Sequence, residues 1–258
     1  MLKRINLIKD IEFIFKKVFF SEEFLLKKRL ERAIKKNYEN ELNIIEKFKD
    51  ISKSAIDVGV YRGVYSYKLS KNFKHVHSFE ANPLVFRYLN NFLNKIIQNI
   101  TIYNLALSNQ NNYSFLKIPF RSKSFFKNNI EEIYKLGAAS IHKKNNIKRF
   151  HKIKVITKKL DNINIKSKIG FIKIDVEGHE RAVIEGSKKT IKKNKPVLLV
   201  EIEERHTKKP VDETINFINS LGYKCYYLKH KKLIEKKAKK KIKNINNFIF
   251  LPNKTIKK

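Results

Sequence analysis

The stretch that most constrains the fold is residues 170–180, GFIKIDVEGHE, in which an apolar run stops at three carboxylates, a glycine and a histidine. A short apolar run with polar residues behind it is typical of a buried β-strand. In open parallel sheets, ligands bind at the carboxyl ends of the strands, so Asp175, Glu177 and His179 lie where a site is expected. The plainer interpretation is that Asp175 or Glu177 only caps the helix that follows.

From residue 51 onward, short apolar runs alternate with segments of helical periodicity. This alternation indicates βαβ units and a parallel sheet. We predict an α/β fold in which helices cover both faces of a mostly parallel, seven-stranded sheet. The predicted strands are 55–58, 75–79, 100–105, 171–174, 197–202, 223–228 and 247–251. The predicted helices are 83–95, which begins at a first-turn proline, 180–193 and 212–221.

The last two predicted strands flank residues 229–243, a run dominated by lysine. So short a connection joins neighbouring strands most easily as an antiparallel pair. We expect the run to be a solvated loop, with contact to an anion or a membrane surface as the alternative. Residues 108–168 form a longer, less regular insert ahead of the 170–180 stretch, and we expect this insert to cover the substrate and set specificity.

Residues 1–50 are predicted to form a helical extension of the main domain, residues 51–258. The apolar positions at helical spacing are Ile8, Ile11, Ile14, Phe15, Val18, Leu25, Leu26, Leu30 and Ile34. We expect this extension to pack on the main domain or on a second subunit. The alternative is an interfacial membrane helix that presents Phe13, Phe15, Phe19 and Phe20 beside a lysine-rich face.

The chain carries a formal net charge of +34, and 49 of its 58 basic residues are lysines. Such a field attracts polyanions, anionic lipids and phosphorylated substrates. The shortage of arginine nevertheless argues against a specific nucleic-acid reader. Cys225 is the single cysteine, which excludes an internal disulfide and fits a reducing compartment. Because charges also interrupt the first twenty residues, we expect a cytoplasmic protein, with peripheral contact to the inner membrane face as an alternative.

A candidate cofactor site follows the first predicted strand, in AIDVGVYRG at residues 55–63. Gly59 and Gly63 allow the backbone to turn tightly and to approach a ligand. The pattern DxGxxxG lacks both the GxGxxG of dinucleotide sites and the lysine of a phosphate loop. Glu80 ends the next strand, 23 residues after Asp57, where an acid can accept hydrogen bonds from both hydroxyls of a ribose. As alternatives, Asp57 caps a turn and Glu80 caps the following helix.

These elements together resemble the FkbM family of methyltransferases. The motifs that carry the resemblance are AIDVGVYRGVYSYKLS, VHSFEANP, LALS at 105–108, GFIKIDVEGHERAVIEG, PVLLVEIEERH and NNFIFLP, in that order. The block KIDVEGHE is the specific part. The resemblance implies a Rossmann-like fold and S-adenosylmethionine as the cofactor.

The resemblance also implies a cofactor-binding set, which is Asp57, Gly59, Tyr61, Gly63, Glu80 and Ala106. Residues 57–63 would line the methionine and ribose side, Glu80 would hold the ribose, and Ala106 would border the adenine. Family members often carry a small residue and Asn between the two glycines, where this chain has Val60 and Tyr61. This departure is expected to reshape the loop or its contacts with the methionyl end.

Methyl transfer is an in-line displacement, so the protein positions the nucleophile and, for an alcohol, removes its proton. Asp175 and His179 are the candidate bases, and Glu177 and Glu203 complete the predicted catalytic set. In VEIEERH, Glu201 and Glu203 share one face of a strand. With Asp175 they form an alternative carboxylate site for Mg²⁺ or for sugar hydroxyls, although no spacing here is diagnostic of a metal.

The leading hypothesis is O-methylation of a hydroxyl on a glycan, a sugar or a secondary metabolite, an acceptor that the resemblance implies. No cysteine follows a strand in the position that a covalent pyrimidine methyltransferase requires. DVEG also replaces the Asn-Pro-Pro-aromatic pattern that binds a target amine. One alternative is an RNA or DNA methyltransferase recruited by the positive field. Another is a non-catalytic membrane-surface or binding protein that keeps the fold. The oligomeric state stays open.

Overall fold

The computed structural model describes residues 19–36, 39–119, 139–142, 150–237 and 245–253. Helices pack on both faces of an eight-stranded sheet, and a three-stranded sheet lies beside it. The helices are α1 (Glu22–Lys35), α2 (Val64–Ser70), α3 (Pro83–Ile96), α4 (Glu180–Glu185), α5 (Lys188–Asn194), α6 (Glu204–Thr207) and α7 (Val211–Ser220), with 3₁₀ turns at Asn40–Phe48 and Leu160–Asn162. The strands are β1 (Ser54–Val58), β2 (Val76–Phe79), β3 (Ile100–Tyr103), β4 (Ala106–Leu107), β5 (Asn112–Pro119), β6 (Phe150–Lys158), β7 (Ile169–Ile174), β8 (Val197–Glu201), β9 (Tyr223–Lys229), β10 (Lys232–Glu235) and β11 (Asn247–Pro252).

The large sheet has the strand order β10-β9-β11-β8-β7-β1-β2-β3. The five strands from β8 to β3 in this order are parallel, and β11 pairs antiparallel with both β8 and β9. The mostly parallel α/β sheet and the antiparallel final pair are therefore confirmed. The central strands are buried on both faces, which is why their sequences read as continuous apolar runs.

The eighth strand, β10, was not predicted, because it lies within the lysine-rich run that was expected to be a loop. It forms a hairpin with β9 in which Lys232 pairs with Lys229. The two turn residues, His230 and Lys231, have φ values of 48° and 61°. Positive φ at both positions matches a type I′ hairpin turn. The usual Asn-Gly or Asp-Gly signal of such a turn is missing from the sequence, so the hairpin could not be recognised there.

The insert contributes a second sheet, of order β4-β6-β5. The predicted strand 100–105 ends at Tyr103, and the chain re-enters strand structure as β4 in this other sheet. One face of the second sheet buries Leu116, Ile118 and Val155 in a small cluster with Ala106. Residues 120–138 and 143–149 of the insert lie outside the described residues.

The single helix predicted over 180–193 is interrupted at Gly186 and Ser187. A Cβ atom at Gly186 would lie 1.9 Å from the carbonyl oxygen of Ser108, so the backbone approaches the end of β4 directly at this point. The hydroxyl of Ser187 donates to the carbonyl of Val183 at 2.6 Å. The contact with Ser108 explains why a glycine occupies this position.

The first described helix, α1, buries Leu26 and Leu30 in the main core and contacts α2 and α3. Residues 1–18, and with them the expected periodicity of residues 8–18 and the side chains of Phe13 and Phe15, lie outside the described residues. None of the helices that the structure describes is long and apolar enough to cross a membrane.

Candidate active site

The candidate site begins where the carboxyl ends of β1 and β7 meet. The amide of Asp175 donates to the carbonyl of Val58, and the amide of Gly59 donates to the carbonyl of Phe79, each at 2.9 Å. Gly59 has a φ of +86°, and a Cβ atom there would lie 1.8 Å from the carbonyl oxygen of Asp175. A glycine is therefore required for this close approach of the two chain segments.

A cavity of about 520 Å³ opens at this edge. Its volume lies within the range of about 300–1,000 Å³ that is typical of small-molecule sites. Its apolar part is formed by Phe79, Leu105, Ala106, Leu107, Leu116 and Ile141. Its polar part includes Glu80, Asp175, Glu177 and His179. Leu116 and Ile141 belong to the insert, so the insert forms part of the cavity wall.

Glu80 is buried, and its carboxylate is oriented by two backbone amides. One oxygen accepts from the amide of Asn82 at 2.8 Å and the other from the amide of Tyr61 at 3.0 Å. Burial raises the pKa of Glu80, and the amide bonds act against this shift. Tyr61 has a φ of 48°, which is unfavourable for a residue with a side chain, and its bond to Glu80 supports this conformation. The carboxylate is thereby fixed at the cavity wall.

Asp57 and Gly63 do not line this cavity, in contrast to Gly59, Tyr61, Glu80 and Ala106. Asp57 is fully buried, and one of its oxygens accepts from the hydroxyl of Ser66 at 2.6 Å. Burial raises its pKa to about 6, while Lys173 and Ser66 act in the opposite direction. Gly63 precedes α2 in a left-handed conformation. Both residues therefore support the conformation of the glycine loop without lining the cavity.

Lys173, which the sequence reasoning missed, is the buried cation of the site. Its ammonium lies 3.0 Å from a carboxylate oxygen of Asp175, 3.3 Å from the carbonyl of Gly59 and 4.0 Å from Asp57. It also lies 4.7 Å from the centre of the Tyr65 ring. Burial acts to lower the pKa of Lys173, but the neighbouring carboxylates outweigh it and raise the pKa. The signal was present in the sequence as one lysine inside an apolar strand.

Asp175 lies beside a second carboxyl group, that of Glu201. Burial, followed by the charge of Asp175, raises the pKa of Glu201. Two carboxylates that approach closely cannot both ionise easily. Within the described residues, no group of three or more His, Cys, Asp or Glu side chains could hold a metal ion. The interpretation of Asp175, Glu201 and Glu203 as a magnesium site thus has no support from the described structure.

Glu177 and Glu203 meet at His206. The imidazole Nε2 of His206 lies 2.8 Å from Glu177 and 3.3 Å from Glu203, and the hydrogen bond to Glu177 raises the pKa of His206. Glu203 also accepts from the side-chain amide of Asn246 at 2.7 Å and forms an ion pair with Arg205. Glu177 lines the cavity, whereas Glu203 and His206 do not. Glu203 is therefore placed behind Glu177, which faces the cavity.

His179 lies at the start of α4 and lines the cavity. Its Nε2 is 2.9 Å from the hydroxyl of Ser108. Burial, together with His142, lowers the pKa of His179 to about 4. The imidazole is therefore neutral at physiological pH and is tied to the end of β4.

Glu180, a second residue that the sequence reasoning did not assign, holds the loop that carries Glu177. One of its carboxylate oxygens accepts from the amide of Gly178 at 2.9 Å and from that of Val176 at 3.3 Å. Burial raises the pKa of Glu180 to about 7. The third acid of the opening motif is therefore a buried acceptor for the loop backbone. The N-cap position of α4 is His179, and Glu177, two residues before it, has a φ of 54°.

A second cavity, of about 540 Å³, adjoins the first. Gly59, Tyr61, Arg62, Glu39 and Asp175 line both cavities. The additional wall comes largely from the N-terminal part of the chain, through α1 and the 3₁₀ turn that follows it. Sequence reasoning assigned no role in the site to this part of the chain.

Residues 57–225 match the methyltransferase FkbM domain. No curated protein matches the sequence. Among solved structures, the chain is similar to methyltransferase FkbM from Methylobacillus flagellatus KT, with 16% identity, a TM-score of 0.47 and coverage of 78% of this chain and 43% of that chain. The chain therefore spans less than half of that protein.

It is also similar to a protein from Streptococcus mutans described as a methyltransferase and solved in complex with SAH, with 12% identity, a TM-score of 0.48 and coverage of 83% and 97% of the two chains. An rRNA methylase from Streptococcus thermophilus matches with 11% identity, a TM-score of 0.45 and coverage of 82% and 93%. The domain match begins at Asp57, near the end of β1, and includes the glycine loop, the Glu80 position and the whole KIDVEGHE block. Because this match covers about two thirds of the sequence, the chain belongs to the FkbM methyltransferase family.

Proposed function

We propose that this protein is an S-adenosylmethionine-dependent methyltransferase that methylates a hydroxyl group of a small acceptor, a sugar unit of a glycan or a secondary metabolite. The observation that carries the proposal is the cavity at the carboxyl edge of β1 and β7, which joins an apolar slot, the oriented carboxylate of Glu80 and the side chain of Asp175.

The residues of this cavity fit the chemistry of the cofactor. An adenine ring is flat and largely apolar, and the slot beside Ala106 and Leu116 offers apolar walls. A ribose carries two neighbouring hydroxyl donors, and Glu80 offers them a carboxylate whose position is fixed by the amides of Tyr61 and Asn82. The methionyl end would then lie toward Gly59 and Asp175, which also line the cavity.

When bound, the cofactor supplies an electrophilic methyl group. The part of this chain is to hold the acceptor hydroxyl in line with that group and to take up the proton that the oxygen releases. We assign Asp175 as the proton acceptor, because it lines both cavities and its carboxylate lies 3.0 Å from the ammonium of Lys173. The neighbouring carboxyl of Glu201, whose pKa burial and the charge of Asp175 raise, would donate a hydrogen bond to Asp175 when it carries a proton and so keep it oriented.

The test is incubation of the protein with methyl-labelled S-adenosylmethionine and a fractionated lysate of the source organism, with calorimetric titration of S-adenosylhomocysteine in parallel. Glu80→Gln is expected to lower the affinity for S-adenosylhomocysteine at least about tenfold, because a charge-assisted acceptor for the ribose hydroxyls is lost. Asp175→Asn is expected to keep this affinity and to lower methyl transfer by about 10²–10⁴-fold. Asp212→Asn, a surface change at an ion pair with Lys236, serves as the control.

A wild-type protein that does not bind S-adenosylhomocysteine would contradict the cofactor assignment. Label that enters a nitrogen or carbon position of the acceptor would contradict hydroxyl methylation. Full activity in Asp175→Asn would remove Asp175 from the proton-accepting role without changing the cofactor assignment.

A nucleic-acid acceptor is the second candidate, and the outer face of the three-stranded sheet favours it. Tyr113 and Phe115 are 60% and 58% exposed on this face. The ammonium of Lys154 lies 4.3 Å from the centre of the Tyr113 ring. Exposed aromatics among lysines are a stacking surface for single-stranded nucleic acid. Label found in RNA or DNA, together with binding that weakens steeply as salt rises, would select this candidate over the glycan.

A further inference from the structure

The second cavity concentrates a residue type that is rare in this chain. Only 9 of the 258 residues are arginine, and three of them, Arg29, Arg32 and Arg62, line this one cavity of about 540 Å³. Arg29 and Arg32 lie one turn apart on α1, and Arg62 lies in the glycine loop after β1. Lysine would be the expected cation if composition alone decided, because the chain carries 49 of them.

The charged side chains that line this cavity sum to a net positive charge. The lining carries the three arginines and Lys173, against the carboxylates of Glu39 and Asp175. Lys173 and Asp175 form an ion pair at 3.0 Å, and Glu39 accepts a hydrogen bond from the hydroxyl of Tyr65 at 2.5 Å. Four cations and two carboxylates give the lining a net charge of +2. A net positive wall attracts an anion, whereas an uncharged ligand gains no net Coulomb attraction from it.

Arginine is suited to a particular class of anion. Its planar guanidinium presents parallel N–H donors that match the two oxygens of a carboxylate or phosphate, which a lysine ammonium cannot do. Arg32 and Arg62 are exposed and Arg29 is half-buried, so the wall is open to solvent and accessible to a ligand. The Arg62 guanidinium carbon also lies 5.1 Å from the centre of the Tyr61 ring, which places this cation at the boundary of the two cavities.

From this arrangement we infer that the acceptor carries an anionic group, a carboxylate or a phosphate, which the arginines of the second cavity bind. The inference rests on the proposed function, since Asp175 faces both cavities. A molecule whose anionic group lies among Arg29, Arg32 and Arg62 can present its hydroxyl to Asp175. The N-terminal helix α1 thereby becomes part of the acceptor site. Acidic sugars and sugar phosphates combine these two groups in one small molecule.

The same chemistry has a second source, because the methionyl part of the cofactor also ends in a carboxylate. The two sources predict different results. If the arginines bind the acceptor, their removal lowers the affinity for an acidic sugar and leaves the affinity for S-adenosylhomocysteine unchanged. If they bind the cofactor, their removal lowers the affinity for S-adenosylhomocysteine and leaves the affinity for an acidic sugar unchanged.

The experiment measures binding of glucuronate and glucose 6-phosphate, with glucose as the neutral match, by ligand-detected NMR with and without saturating S-adenosylhomocysteine. The variants are the pair Arg29→Gln/Arg32→Gln and the single change Arg32→Gln, which is exposed and spares the half-buried position. Arg87→Gln is the control, since Arg87 is exposed on α3 and lines neither cavity. It removes the same charge elsewhere on the molecule.

We expect at least one acidic probe to bind wild type at least about tenfold more tightly than glucose, and the double variant to weaken that probe at least about tenfold. Arg32→Gln should weaken it less, Arg87→Gln should change it less than twofold, and S-adenosylhomocysteine affinity should stay within about twofold throughout. Absence of saturable binding of both acidic probes up to about 10 mM would overturn the inference.

Equal binding of acidic and neutral probes, or an Arg87→Gln effect as large as that of the double variant, would also overturn it. So would a loss of S-adenosylhomocysteine affinity with probe binding unchanged, which assigns the arginines to the cofactor. Because the probes are also titrated without S-adenosylhomocysteine, failure of wild type to bind that ligand contradicts the proposed function separately from the anion site.

Discussion

At the scale of single residues, the buried carboxyl of Glu180 gives the stability of the protein a defined pH dependence. Its pKa is about 7 in the folded chain, raised by burial from an ordinary value of 4.5. The unfolded chain therefore releases this proton at lower pH than the folded chain does. The resulting stabilisation is fully present below about pH 4.5 and is lost as the pH rises through about 7.

We predict that Glu180→Gln removes this dependence while keeping an acceptor for the amides of Gly178 and Val176. As the pH rises from about 4.5 to 8, wild type should lose stability that the variant keeps. The free energy of unfolding of the variant minus that of wild type should therefore increase by on the order of 3 kcal/mol. Urea unfolding across this range provides the measurement, with Glu185→Gln, a change at an ion pair with Arg181, as the control. A difference between Glu180→Gln and wild type that is constant with pH would show that burial does not shift this group.

Gly59 and Gly222 form a matched pair for testing the close approach of β1 and β7. Both have positive φ, +86° and +89°, so an alanine at either position is strained by about 1–2 kcal/mol. At Gly222 the new Cβ meets only the end of Lys195, at 3.4 Å, whereas at Gly59 it would overlap the carbonyl of Asp175. We predict that Gly222→Ala loses only the strain energy. Gly59→Ala should lose clearly more and should also lose S-adenosylhomocysteine affinity, as measured by urea unfolding and calorimetry. Equal losses in the two variants would contradict the close approach.

At the scale of elements, the three-stranded sheet is expected to form a wall of the cofactor site through one face only. Adjacent residues of β5 test this, since Leu116 is 3% exposed and lines the cavity while Phe115 is 58% exposed on the other face. Leu116→Ala is predicted to lower the free energy of unfolding by about 2 kcal/mol or more and to weaken S-adenosylhomocysteine.

Phe115→Ala, at the neighbouring position, should change neither quantity measurably. Thermal unfolding gives the stability of both variants and calorimetry gives their affinities. If Phe115→Ala weakened S-adenosylhomocysteine as much as Leu116→Ala, the sheet would act through its outer face, or as a whole, rather than through the side chains of the wall.

The elements also differ in how far the sequence could predict them. The central strands were recognisable because a parallel strand covered on both faces must be apolar throughout, as in the FIKI of β7. The two-residue strand β4 is too short for any periodicity. β10 is a mostly exposed edge strand within the lysine-rich run, which resembles a loop. Edge strands are often short and rich in lysine, so local pattern alone cannot separate them from loops.

The same contrast holds for the site. Gly59 and Glu80 follow their strands directly, so strand prediction alone placed them at the edge of the sheet. Lys173 was visible as a charge in an apolar run but had no assignable partner until β1 and β7 were paired in register. The role of Arg29 and Arg32 depends on where α1 packs, a contact between distant segments that periodicity does not encode.

At the scale of the whole molecule, the charge of +34 is a destabilising term that salt should reduce. Self-repulsion of a highly charged chain disfavours the compact state, and the Debye length shortens to about 8 Å at 0.15 M salt. We predict that sodium chloride raises the melting temperature between about 0.02 and 0.3 M. For a chain of this size, each kcal/mol corresponds to about 2–4 °C.

Sodium phosphate at the same ionic strength separates this general screening from the arginine cavity. Screening depends on ionic strength, whereas an anion bound only by the folded chain adds stability according to its concentration and affinity. Phosphate also strengthens burial generally, but that effect is shared by every variant. We therefore predict that the extra rise in melting temperature in phosphate over chloride is larger in wild type and Arg87→Gln than in Arg29→Gln/Arg32→Gln. Differential scanning calorimetry of the three proteins in the two salts measures it, and an equal extra rise in all three would assign the phosphate effect to the general field rather than to the cavity.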